Sequence, residues 1–208
     1  QKHAKQPVDA RRSSMVDRLA ADKRDGDAEL EKLLERVEDW LDFPLLVVGV
    51  VHGGETVHRA YRTKLADPPR VVPREASYCT HCVAGDAPLV VEDARADAFF
   101  AQHPAVAAFG LVAYCGVPLR VAIGTPDEAV VGTLCGYDVR ARPVLVEDAA
   151  TLEIFARRAA ALIEGSAIAG SRGDAAWADA SSRGEEREVY APSPFLDLAL
   201  VALRRAQR

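Results

Sequence analysis

Apolar and polar positions first fall into a regular pattern at "DAELEKLLERVEDWL", where Leu30, Leu33, Leu34, Val37 and Leu41 recur at helical spacing behind a charged outer face. Asp27 stands where a helix N-cap is wanted. Such a helix packs on its own domain or on a second copy of itself. The residues before it, 1–26, are polar without a hydrophobic period and read as a leader or linker. The period then shortens. "PLLVVGVVHGGETVHRAYRT" reads as two strands joined at Gly53 and Gly54, a hairpin signal. "LADPPRVVP" is a proline-broken loop. "REASYCTHCVAGD" has helical character, with Gly85 as its stop, and "APLVVEDA" is a short buried strand ending in an acidic turn.

"DAFFAQHPAVAAFG" predicts one or two short helices interrupted at Pro104. Two β-rich runs follow, "LVAYCGVPLRVAI" and "EAVVGTLCGYDV", joined by "GTPD" as a second hairpin. "VEDAATLEIFARRAAALIEGSAIAG" closes the series as a long helix with Leu152, Phe155, Ala159, Leu162 and Ile163 on one side. The order predicts an α+β domain over 27–168, a mainly antiparallel sheet backed by terminal helices. Residues 169–190 have linker composition, and 191–208 regain a helical period and end in basic residues, which suits an amphipathic C-terminal helix.

Composition narrows the function classes. The chain has 208 residues, 49% hydrophobic and 27% charged, an ordinary globular balance that supports a core without metal or disulfide. A net charge of −5 offers no general attraction for nucleic acid or an anionic membrane. No apolar run reaches the roughly 18–20 residues that a bilayer span needs. No hydrophobic segment follows the basic residues near the N-terminus, so a secretory signal is not expected. The expected setting is cytoplasmic, with thiols free.

The candidate chemistry centres on "SYCTHCV". Cys79 and Cys82, three residues apart on a helix, share a face, whereas His81 points away from Cys79. A structural zinc site wants four ligands. The other cysteines, Cys115 and Cys135, lie on the two late strands; a near-symmetric "GTPD" hairpin would set them roughly opposite each other, where a helix packed above could gather four thiols. Packing as small buried side chains is the plainer role for the cysteines, and a redox or metal role is the sharper one. His52 and His58 alternate with strand residues and are expected to be exposed or at an edge; His81 and His103 read as surface or capping residues. Asp93 suits a helix cap, with a polar ligand as its alternative. Tyr78, Phe99, Phe100, Phe109, Tyr114 and Tyr137 could line a pocket or fill a core. No phosphate-cradling glycine loop and no Ser-His-Asp grouping is legible.

"SYCTHCVAGDAPLVVEDARADAFFAQHPAV", "GVPL", "GTLCGYD" and "VLVEDAATLEIFA", in that order, resemble the GAF-domain family of small-molecule-binding sensory modules. The resemblance implies a central antiparallel sheet of about five or six strands with helices on both faces. It also implies terminal helices that form a dimer surface on one face and a ligand pocket on the other. That pocket would be walled by 74–85, 93–109 and the two late strands, with Tyr78, Cys79, Cys82, Asp93, Phe99, Phe109, Tyr114, Cys115, Thr133 and Cys135 as candidate ligand contacts. Relatives often carry cysteines at the positions of Cys79 and Cys135, which favours packing for those two. The cysteine loop of the family's free methionine sulfoxide reductases is not spelled out here. Nor is the Cys-His order of bilin attachment, since His81 precedes Cys82. The expected function is a non-enzymatic sensory domain of bacterial-type signalling. It would bind an unidentified small molecule, form a homodimer and pass its signal to a downstream protein. A thiol redox or metal sensor using Cys79, Cys82, Cys115 and Cys135, or a dimerisation scaffold with a degenerate pocket, stands as the alternative.

Overall fold

The structure, a computed structural model, describes Leu19 and residues 27–177, with side chains through residue 165. The predicted C-terminal helix at 191–208 lies outside the described residues. Six strands form one antiparallel sheet in the order β3-β2-β1-β6-β5-β4. They are β1 (Leu45–His52), β2 (Glu55–Thr63), β3 (Val71–Pro73), β4 (Leu89–Val91), β5 (Ala113–Val121) and β6 (Ala129–Asp138). The helices are α1 (Ala28–Glu38), α2 (Cys79–Gly85), α3 (Pro104–Phe109) and α4 (Val146–Trp177), with short 3-10 turns at Arg74–Ala76 and Phe100–Gln102. The predicted α+β class and both hairpins are present.

Helix α1 starts where Asp27 accepts bonds from the backbone N–H groups of Glu29 and Leu30. It buries Leu30, Leu33, Leu34 and Val37 against the sheet and against Leu152, Ala156, Ala159 and Ile163 of α4. Full burial of each large side chain contributes about 1.5–3 kcal/mol. Leu19, inside the stretch read as a polar leader, is part of this same core. Its carbonyl accepts a 2.7 Å bond from the buried Arg59, whose guanidinium also lies 3.7 Å from the Asp27 carboxylate. Helix α4 runs on to Trp177, past the boundary at 168 that composition predicted.

The opposite face of the sheet carries α2, the 3-10 turns and α3. Helix α2 ends at Gly85, the stop read from the sequence, and the capping residue after it, Asp86, takes the left-handed conformation at φ 51°. Strand β2 is interior to the sheet over Glu55–Val57, where β3 pairs with its outer edge. A bulge between Val48 and Gly49 re-aims the residues of that corner.

Register decides which side chains meet. Cys115 pairs with Gly136, and Gly116 with Cys135. One step along a strand reverses the direction of the side chain. Cys115 therefore packs with the terminal helices, while Cys135 lies on the face covered by α2. The convergence of four thiols that the sequence left open as the sharper alternative does not occur.

Candidate functional site

On the α2 face, aromatic rings fill the space that the sequence suggested as a pocket. Tyr78 stacks on His103 at 4.3 Å and on Tyr114 at 5.3 Å, and Tyr114 meets Tyr137 edge-on at 5.0 Å. Tyr78 donates its hydroxyl hydrogen to the Leu111 carbonyl. The Tyr114 ring lies over Gly116, where a Cβ would collide with the phenol; a glycine is required there.

Beneath the rings runs a chain of thiols and hydroxyls. Cys79 Sγ is 3.1 Å from Tyr137 Oη and 3.7 Å from Cys135 Sγ, and Thr133 Oγ1 donates to Cys135 Sγ at 3.6 Å. All four residues are fully or almost fully buried. The hydrogen bond from Cys135 holds the Cys79 thiol below the usual range, while burial pushes Cys135 well above it. Cys82 donates to the Ala87 and Gly116 carbonyls, and burial raises it to about 12; burial does the same to Cys115. Among the described residues, no group of three or more His, Cys, Asp or Glu side chains is placed to hold a metal ion.

The open space lies beside this core, toward β1 and β2. A cleft of about 280 Å³ is bounded by His58, the 65–69 loop, Ala76, Ser77, Phe109 and Tyr137, with Leu45, Val72, Leu111 and Val139 completing its apolar walls. Among the described lining residues, Asp67 is the only Asp, Glu, Lys or Arg. Two buried polar atoms on residues of this lining, His58 Nδ1 and Ser77 Oγ, have no hydrogen-bond partner, and neither does the nearby Thr56 Oγ1. His58 is 7% exposed, and burial lowers its pKa to about 4 against a smaller raising effect of the Pro69 carbonyl. The imidazole is therefore neutral in the folded protein.

The ten residues chosen from the sequence are thus dispersed. Phe109 lines the cleft, and Cys79, Thr133 and Cys135 form the thiol and hydroxyl chain beside it. Tyr78, Tyr114 and Cys82 are core residues. Cys115 faces the other side of the sheet. Phe99 is 67% exposed and packs on His81 above a shallow surface depression. Asp93 accepts from the backbone N–H of Arg95 and from its guanidinium, and Asp97 accepts from the backbone N–H groups of Phe99 and Phe100 ahead of the Phe100–Gln102 turn.

The reading of alternation missed His58 and Ser77. His58, expected to be exposed or at an edge, is buried because β3 and the proline loop cover β2. The available signal was Gly49, a glycine inside an apolar strand, which marks a close approach. A Cβ there would meet Thr56 Cγ2 at 3.3 Å, His58 Cδ2 at 3.8 Å and Cys79 Sγ at 3.9 Å.

The GAF domain model matches residues 11–163. This chain belongs to the GAF domain family. GAF domains are sensory, small-molecule-binding modules, and some relatives are enzymes. Solved structures share the fold at low identity. The free methionine-R-sulfoxide reductase from Neisseria meningitidis, solved with its substrate, aligns with a TM-score of 0.54 at 18% identity, over 81% of this chain and 97% of that one. The GAF domain of an Acinetobacter phosphoenolpyruvate-protein phosphotransferase aligns with a TM-score of 0.55 at 10% identity, over 77% and 97%. A far-red cyanobacteriochrome photoreceptor aligns with a TM-score of 0.53 at 12% identity, over 65% and 84%. No curated protein sequence matches. Among the described residues, no helix is long and apolar enough to cross a membrane.

Proposed function

We propose that this GAF domain is a non-enzymatic sensor of bacterial-type cytoplasmic signalling that holds a small molecule in the cleft beside His58 and Ser77. The observation that carries the reading is the cleft itself: apolar walls, two buried polar atoms without partners, and a position on the sheet face opposite α1 and α4. Largely apolar concavities with a few polar groups are the usual form of ligand sites. Occupancy would shift the population of closed states of the 65–69 loop and α3, and the terminal helices would report it. Output would pass through a homodimer formed by the 27–41 and 148–168 helices to a downstream signalling protein.

Native mass spectrometry of protein purified without reductant or chelator, beside the same sample denatured, tests this. A small organic mass that is lost on denaturation is the expected result. A bare, fully reduced mass, followed by no saturable ligand in a fragment screen, would remove the reading.

A second reading, thiol redox sensing, is favoured by the 3.7 Å separation of Cys79 and Cys135. It concerns that pair and not the group of four. In the same spectrum it would appear as a mass lower by the two hydrogens of a disulfide.

A further inference from the structure

We propose that the cleft takes an uncharged, mainly apolar small molecule that presents an N–H or O–H donor to His58 Nδ1, with Ser77 Oγ completing the polar contact. This rests on the reading of the cleft as a ligand site and adds the class of ligand. His58 is the deciding residue. Burial and the low pKa of about 4 keep its imidazole neutral, so one ring nitrogen carries hydrogen and the other a lone pair. The Pro69 carbonyl favours an N–H on the ring. Nδ1 has no partner, which assigns the hydrogen to Nε2 and leaves Nδ1 as an acceptor facing no donor. Ser77 Oγ, also unpartnered, can donate to a carbonyl or accept from a second N–H.

The charge pattern excludes the opposite class. Among the described residues no Lys or Arg lines the cleft, and Asp67 is the one acidic side chain there. Arg70, the cation whose charge acts on the His58 ring, directs its guanidinium to the His58 and Arg59 carbonyls and over the Tyr61 ring. A phosphate or carboxylate would be desolvated in this cleft with no cation to meet it. The volume of about 280 Å³ lies just below the roughly 300–1,000 Å³ usual for ligand pockets, so the molecule is of one or two rings.

Three probes of one shape separate the terms: benzamide, methyl benzoate, which lacks the donor, and benzoate, which is anionic. Each is titrated into the full chain while backbone amides and the imidazole nitrogens of His58 are followed by NMR. Benzamide is expected to shift Ser77, Phe109 and Tyr137 saturably and to move the His58 Nδ1 resonance as a lone pair accepts a bond. Methyl benzoate should bind about tenfold more weakly, the worth of one hydrogen bond, and benzoate without saturation. In His58→Phe or Ser77→Ala protein the advantage of benzamide over methyl benzoate should shrink. Methyl benzoate binding as well as benzamide, benzoate binding best, or an Nδ1 resonance of a protonated nitrogen would each overturn the ligand class and leave the cleft as a site. Absence of saturable shifts at the cleft with all three would overturn the ligand class together with the reading it rests on.

Discussion

Cys115 and Cys135 stand one register position apart on paired strands, and that step puts their thiols on opposite faces of the sheet. The partner of Cys135 is Cys79, 3.7 Å away across the face covered by α2. Treatment with hydrogen peroxide should therefore give one intramolecular disulfide, Cys79–Cys135. Two thiols lose their hydrogens and the peroxide is reduced to two waters. Peptide mapping should find Cys82 and Cys115 still reduced, since burial has raised both thiols to about 12 and the thiolate is the nucleophile. A disulfide that includes Cys115 would contradict the register.

Cys115 sits among Val117, Leu134 and the residues of α4, without exposure. Cys115→Ser should lower stability by about 1–3 kcal/mol, because it buries a hydroxyl in an apolar layer. Urea unfolding reads the loss. The peroxide disulfide should form in this variant as in the parent.

His58 and His103 are both held neutral by burial, their pKa values lowered from 6.5 to about 4. The unfolded chain binds protons at these histidines below about pH 6.5, and the folded chain does not until about pH 4. Their stabilisation is complete above the unfolded value, declines as pH falls through this window and levels off below it. At about 1.4 kcal/mol per pKa unit, each histidine accounts for roughly 2 kcal/mol between pH 7 and pH 5. Urea midpoints at the two pH values should converge in His58→Phe by about half of the histidine contribution. An unchanged pH dependence would place the titrating group elsewhere.

Glycines in β6 separate two kinds of obstacle. A Cβ at Gly132 would strike the backbone carbonyl of Gly49 on β1, whereas one at Gly136 would strike the ring of Phe43. Gly136→Ala should cost about 1–3 kcal/mol as the ring moves aside. Gly132→Ala should cost more, because the obstacle is the neighbouring strand itself. Equal losses in thermal unfolding would contradict this difference.

Arg59 ties Leu19 and Asp27 to the body of the sheet. Arg59→Met should release Leu19 from the core while β1 to β6 stay folded. Limited proteolysis reads this as faster cleavage ahead of residue 27.

The elements were legible where a period was strong. Leu30, Leu33, Leu34 and Val37 announced α1, and the Gly53-Gly54 and "GTPD" turns announced both hairpins. The site was less legible, because alternation says that a residue is on one face but not which residue opposes it. Cys115 was paired with Cys135 when its true opposite is Gly136, and that offset of one dissolved the group of four thiols. His58 was hidden for another reason. Its burial depends on β3 and the 65–69 loop, which come to it from later in the chain. Leu19 was lost because the apolar run around it, Met15, Val16 and Leu19, is too short to display a period among its polar neighbours.

Leu134 and Cys135 are adjacent in sequence, yet one packs beneath the terminal helices and the other joins the chain of thiols beside the cleft. Strand β6 thus belongs to both layers, and β1 and β5 grip it on either side. A slide of β6 along its own axis by a fraction of the roughly 3.4 Å residue spacing would displace contacts on both faces together. Because β6 carries side chains of both layers, a change in its position on one face cannot leave the other face as it was.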